Sequence, residues 1–148
     1  MPPVGCGHGA RAGGAGVERR DLEVRTHTRT EVIEITEAVR EAVRQAGLQR
    51  GLVHCFLPHT TAGLALNERN DTRVVADIAS HLDRLVPWAG PWTHQNNAAA
   101  HVKASLLGQT QVLAVEDGAL VLGDWQGLFV FEFHGPRSRT VRLTFQPG

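Results

Sequence analysis

A chain of 148 residues, 42% hydrophobic and 20% charged, has ordinary globular composition and is long enough for one domain with a buried core. Its formal net charge of +0 lacks the basic surplus of a nucleic-acid binder, so no nucleic-acid partner is expected. No run approaches the roughly 18 apolar residues of a membrane span, and no basic-then-apolar leader opens the chain. Cys6 and Cys55 lie in a Gly-rich stretch and an apolar run, which does not suit a disulfide framework, so the expected setting is cytoplasmic, without membrane contact.

Residues 1–20, MPPVGCGHGARAGGAGVERR, lack apolar periodicity and read as a disordered tail, leaving 21–148 as a single domain. Residues 21–28 and 31–35 alternate and predict two short strands. Thr36 is placed to cap a helix over 37–46, with Val39, Val43 and Ala46 on one face and Gly47 as its stop. Residues 52–57 predict an apolar strand that leads through Pro58 into His59, Thr60 and Thr61, and residues 64–66 form a second apolar run. Asp71 caps a helix over 72–86 whose core stripe is Val74, Val75, Ile78, Leu82 and Leu85. Asn97 caps a further helix over 98–107, ended by Gly108. The remainder reads as strands over 111–115, 119–122, 127–133 and 139–145. No helix interleaves these late strands, which favours an α+β fold with largely antiparallel sheets over a doubly wound parallel one.

The chemistry-bearing residues gather in the middle of the chain. His59, Thr60 and Thr61 follow a strand end, where hydroxyls and backbone amides suit an anion such as phosphate. Glu68 is a candidate proton carrier or cation ligand. His94 and His101 flank Asn97; Asn97 and His101 fall on one helix face, next to a helix start that attracts anions. Neutral imidazoles also bind transition metals, although this spacing is no standard zinc signature. Lys103, the sole lysine, should point away from His101. Trp125 and Gln126 occupy a turn, where they either line a pocket or anchor a sheet edge. Glu132 shares a strand face with Leu128 and Val130, so its carboxylate needs a partner, for which Arg137 or Arg139 is placed. The remaining histidines, His134 among them, read as structural or surface residues.

Taken together, HTTAGLALNE (59–68), HLDRLVP (81–87), NAAAHVKASLLG (97–108), LGDWQG (122–127) and EFHGPR (132–137) resemble the YjbQ-like family, in order, over about residues 21–146. The resemblance implies an α+β fold built on a seven-stranded β-sandwich that assembles as a homotrimer. It also implies secondary thiamine-phosphate synthase activity, which joins a pyrimidine methyl pyrophosphate to a thiazole phosphate and expels pyrophosphate. The family's polar positions fall on His59, Thr60, Thr61, Asn67, Glu68, His94, Asn97, His101, Trp125, Gln126 and Glu132. Asp124 stands where the family usually has Thr, and the loop over 95–97 is shorter than in many relatives.

The expected site therefore has His59, Glu68 and His101 as catalytic groups, and Thr60, Thr61, Asn67, Asn97, Trp125 and Gln126 as contacts to a phosphorylated small molecule. His59, His94 and His101 would hold a divalent metal, Zn or Mg, or the anion itself. The alternative is a non-catalytic trimer that binds a metal or metabolite.

Overall fold

The computed structural model describes residues 5–7 and 17–148. Its elements, in order, are β1 (Gly5–Gly7), β2 (Glu18–Arg25), β3 (Glu31–Glu34), α1 (Thr36–Ala46), β4 (Gly51–Phe56), β5 (Ala62–Glu68), α2 (Thr72–Leu85), α3 (Ala98–Leu107), β6 (Thr110–Glu116), β7 (Ala119–Leu120), β8 (Gln126–Glu132) and β9 (Ser138–Pro147). Within the stretch expected to be a tail, Gly5–Gly7 is a strand on β2, and β2 itself starts at Glu18; residues 1–4 and 8–16 lie outside the described residues.

The strands form two sheets, ordered β1-β2-β9-β4-β6-β7 and β3-β8-β5, and every pairing is antiparallel. This is the expected α+β sandwich. Seven strands of four or more residues carry it, and the very short β1 and β7 are additions. Period-2 alternation puts Leu22, Val24, Val53, Cys55, Val141 and Leu143 on the inner face of the large sheet. They pack against Leu64, Leu128 and Val130 of the small sheet and against Val39, Ala42 and Val43 of α1. Phe129, Phe131 and Phe133 point the other way and meet Val75 and Ala79 of α2 and Ala100 and Ala104 of α3. The continuous apolar run of β8 thus reflects burial on both faces.

Three local expectations are corrected. Thr36 is not the cap of α1; Ile35 occupies that position, and the buried Thr36 hydroxyl accepts the Leu128 amide hydrogen at 2.9 Å. Leu85 is 64% exposed rather than on the core stripe, because α2 ends there and the buried Val86 follows it inward. Asn97 stands at the N-cap of α3, but its side chain makes no capping bond. Asp71 does cap α2, accepting from the Arg73 amide at 3.0 Å, and Gly47 ends α1 in the left-handed region at φ 66°. Among the described residues no helix is long and apolar enough to cross a membrane.

Candidate functional site

At one end of the sandwich, the segment after β4, the start of α3 and the β8–β9 turn surround a cavity of about 340 Å³. Pro58, His59, Thr60 and Thr61 form one wall, Asn97 and His101 a second, and His134, Arg137 and Arg139 the third.

The floor is a buried ion pair. Glu132 is 0% and Arg139 4% exposed, and the guanidinium grips the carboxylate through Nε–Oε2 at 2.7 Å and Nη2–Oε1 at 2.5 Å. Burial alone would raise the Glu132 pKa; the Arg139 guanidinium, the His134 amide at 2.8 Å and the Thr26 hydroxyl at 3.0 Å overturn that and hold it below the usual carboxylate range. Of the two arginines proposed for this partnership, Arg139 takes it. Its Nη2 also donates to the Thr61 hydroxyl at 2.7 Å, so Thr61 is committed to the floor while Thr60 stays exposed.

Hydrogen-bond chemistry settles the form of three histidines. The Thr140 amide can only donate, and it donates to His59 Nε2 at 2.9 Å, so neutral His59 carries its proton on Nδ1. Burial, followed by the charge of Arg139, lowers the His59 pKa. Arginine likewise has no acceptor, and Arg137 Nη2 lies 3.2 Å from His134 Nδ1. That nitrogen therefore accepts, and the Asn97 group 3.1 Å from it must be the amide NH₂. Asn97 Oδ1 then faces His94 Nε2 at 2.7 Å, which must donate. Neutral His134 accordingly carries its proton on Nε2, and burial, then Arg137, lowers its pKa.

Of the expected site residues, His59, Thr60, Thr61, Asn97 and His101 share this cavity. His94 stands beside it, its ring edge-on to His101 with centroids 5.7 Å apart. Asn67, Glu68, Trp125 and Gln126 do not join them; with Leu66 they line another cleft of about 520 Å³. The two sites lie at opposite ends of β5: Ala62 pairs with Glu132 beside the histidines, whereas Glu68 pairs with Gln126 six residues on. At about 3.4 Å per residue the separation is about 20 Å, so Glu68 cannot move a proton for His59 or His101 of the same chain. Asn67 and Gln126 also spend side-chain acceptors on the Glu68 and Gly123 amides, both at 2.8 Å, while Trp125 is 63% exposed.

The residues present do not fit the three-histidine metal centre. Among the described residues no group of three or more His, Cys, Asp or Glu side chains is arranged to hold an ion. The Nε2 lone pair of His59 and the Nδ1 lone pair of His134 are occupied by N–H donors, and their other nitrogens carry hydrogen. Lys103 turns away from His101, as expected; it is 2% exposed, pairs with Asp83 of α2, and sits 5.3 Å from the Phe133 ring centroid.

Sequence reasoning passed over His134 and gave Arg137 only a structural part. The available signal was the turn His134-Gly135-Pro136-Arg137, which returns the chain sharply at the site. Gly135 is demanded there: a Cβ would lie 2.2 Å from the Thr28 carbonyl oxygen and 2.7 Å from Thr26 Oγ1.

The comparisons with known proteins agree with this architecture. The model of the UPF0047 protein YjbQ-like family matches residues 20–148. The chain belongs to that family. UPF0047 protein YugU of Bacillus subtilis is 39% identical over 126 residues, covering 84% of this chain and 96% of that protein. UPF0047 protein MJ1081 of Methanocaldococcus jannaschii is 39% identical over 118 residues, covering 79% and 86%. A crystal structure of a YjbQ/UPF0047 family protein from Clostridium acetobutylicum superposes with a TM-score of 0.82 at 40% identity, over 84% of this chain and 98% of that one. A Sulfolobus solfataricus structure of the same kind gives 0.85 at 31% identity, over 89% and 98%. In this YjbQ-like chain the histidine cavity combines residues from three of the five sequence blocks, 59–68, 97–108 and 132–137, together with Pro58 and Arg139.

Proposed function

We propose that the cavity binds the phosphate or pyrophosphate group of a small molecule. The carrying observation is that its fixed polar groups offer donors: His59 Nδ1–H, His134 Nε2–H and the Arg137 guanidinium, above a floor whose one carboxylate is neutralised by Arg139. Such a set attracts an anion and gives a metal ion no free lone pair from His59 or His134.

The reaction that fits is of the secondary thiamine-phosphate synthase type. The thiazole nitrogen forms a bond to the pyrimidine methylene carbon as the carbon–oxygen bond to pyrophosphate breaks. Charge develops on the departing pyrophosphate, and preorganised donors stabilise charge where it develops. His101, which lines the same cavity as Arg137, would bind the leaving group with Thr60. Incubation of purified protein with both precursors, monitored for released pyrophosphate, tests this; release that disappears in His101→Ala supports it, and no release sinks the catalytic reading.

The position of Glu68 favours a second reading, a binding protein without turnover, because it removes the expected proton carrier from the histidine cavity of the chain. That reading expects tight pyrophosphate binding and no product. In either case we infer a homotrimer: Leu52 and Val112 on the outer face of the large sheet and Leu106 on α3 are exposed apolar residues that assembly would cover. Sedimentation as a stable monomer would contradict it.

A further inference from the structure

We propose that Asn97 is a positioning residue that fixes His134 as a hydrogen-bond donor to the bound anion. This rests on the anion reading of the cavity. It gives a specific task to a histidine that the sequence passes over and to an asparagine expected to touch substrate.

Asn97 sits where a cap would be, yet its side chain leaves the helix unbonded and bridges two imidazoles, His94 Nε2 at 2.7 Å and His134 Nδ1 at 3.1 Å. The bridge has one consistent reading. Arg137 supplies a donor-only group to the same Nδ1, so Asn97 must add a second donor, and the hydrogen of neutral His134 can only be on Nε2. The ring is also held in place: Trp88 packs against it with centroids 5.5 Å apart, and the Arg29 guanidinium lies over the Trp88 ring at 4.1 Å from its centroid. His134 lines the cavity, so the fixed Nε2–H is its free polar group.

The charged groups around the ring bear on its protonation. Arg137, Arg139 and Arg29 oppose a positive charge on it, and Glu132 favours one. His94, reached through Asn97, is already committed as a donor. Adding a proton to Nδ1 would set it against two donors at once. His134 therefore gives the anion a neutral donor whose strength holds across neutral pH, beside the permanent charge of Arg137.

The experiment is nitrogen-15 NMR of the histidine rings in the full chain, paired with titration of inorganic pyrophosphate. His134 is expected to show a bare Nδ1 and a protonated Nε2 at pH 7.5. Asn97→Asp keeps a good cap residue but presents two acceptors, and it should place a proton on Nδ1. A purely structural Asn97 would leave the ring signals unchanged. His134→Ala should weaken pyrophosphate binding by about tenfold, the size of one hydrogen bond to a charged group. His134→Gln, which can restore a donor near the Nε2 position, should recover most of the loss. A protonated Nδ1 in the unsubstituted chain, or ring signals unmoved by Asn97→Asp, would overturn the positioning role whether or not the anion binds. A bare Nδ1 together with full affinity in His134→Ala would overturn the donor role. No pyrophosphate binding to the unsubstituted chain would instead overturn the site reading on which the proposal rests, and the proposal with it.

Discussion

Arg139 holds Glu132 through two nitrogens at 2.7 and 2.5 Å, with both side chains buried beneath the histidine cavity. Removing one partner strands the other charge in the interior. Glu132→Ala should cost about 3–5 kcal/mol in chemical denaturation, the range for a broken buried pair. A loss under 1 kcal/mol would show that Arg139 finds water when the carboxylate is gone.

Acid sensitivity follows from the same floor. The folded-state pKa values of Glu132 and His59 are both lowered. A lowered value adds stability above the unfolded pKa and loses it as pH falls through the folded one. For His59 that loss begins below the ordinary histidine value of about 6.5, and for Glu132 below the ordinary glutamate value of about 4.3. Melting temperature should fall in two stages between pH 7 and 3, and His59→Gln should shrink the first, to which His134, also lowered, contributes the rest. A melting temperature flat to pH 4 would contradict the burial of His59 beside the charge of Arg139.

Gly135→Ala tests the turn that presents His134 and Arg137. The added Cβ would meet the Thr28 carbonyl at 2.2 Å, a backbone atom that cannot swing aside. A destabilisation of about 1–3 kcal/mol is expected, with weaker anion binding, and unchanged melting would mean that the turn relaxes at no cost.

Much of this arrangement was legible in the sequence. The alternation of β8 separated Phe129, Phe131 and Phe133 from Glu132, and an isolated carboxylate on an apolar face announced its arginine. Asp71 and Gly47 acted as their local chemistry dictates. The site was only half legible, because local pattern says nothing about which end of a strand a residue serves. Glu68 is close to His59 in sequence, but β5 carries it to the far end of the sheet. His134 was passed over because its function comes from Asn97 and Arg137, and only folding brings Asn97 to it. Thr36 was misassigned because a buried β8 amide, distant in sequence, competes for its hydroxyl.

Glu68→Gln addresses the strand-end separation. With Glu68 about 20 Å from the histidines, pyrophosphate affinity at the cavity should stay within about twofold of the unsubstituted chain. A larger loss would mean that Glu68 of a neighbouring copy reaches the site.

The donors of His59, His134 and Arg137 make the cavity, as proposed, an anion site rather than a metal site. Calorimetric titration of the full chain with inorganic pyrophosphate, in the presence of a metal chelator, tests it most directly. Saturable binding without metal is expected, and it should be lost in His101→Ala while the variant keeps its circular dichroism spectrum, since a helix tolerates alanine there. Binding that appears only when zinc or magnesium is supplied, or that survives His101→Ala unchanged, would contradict the claim.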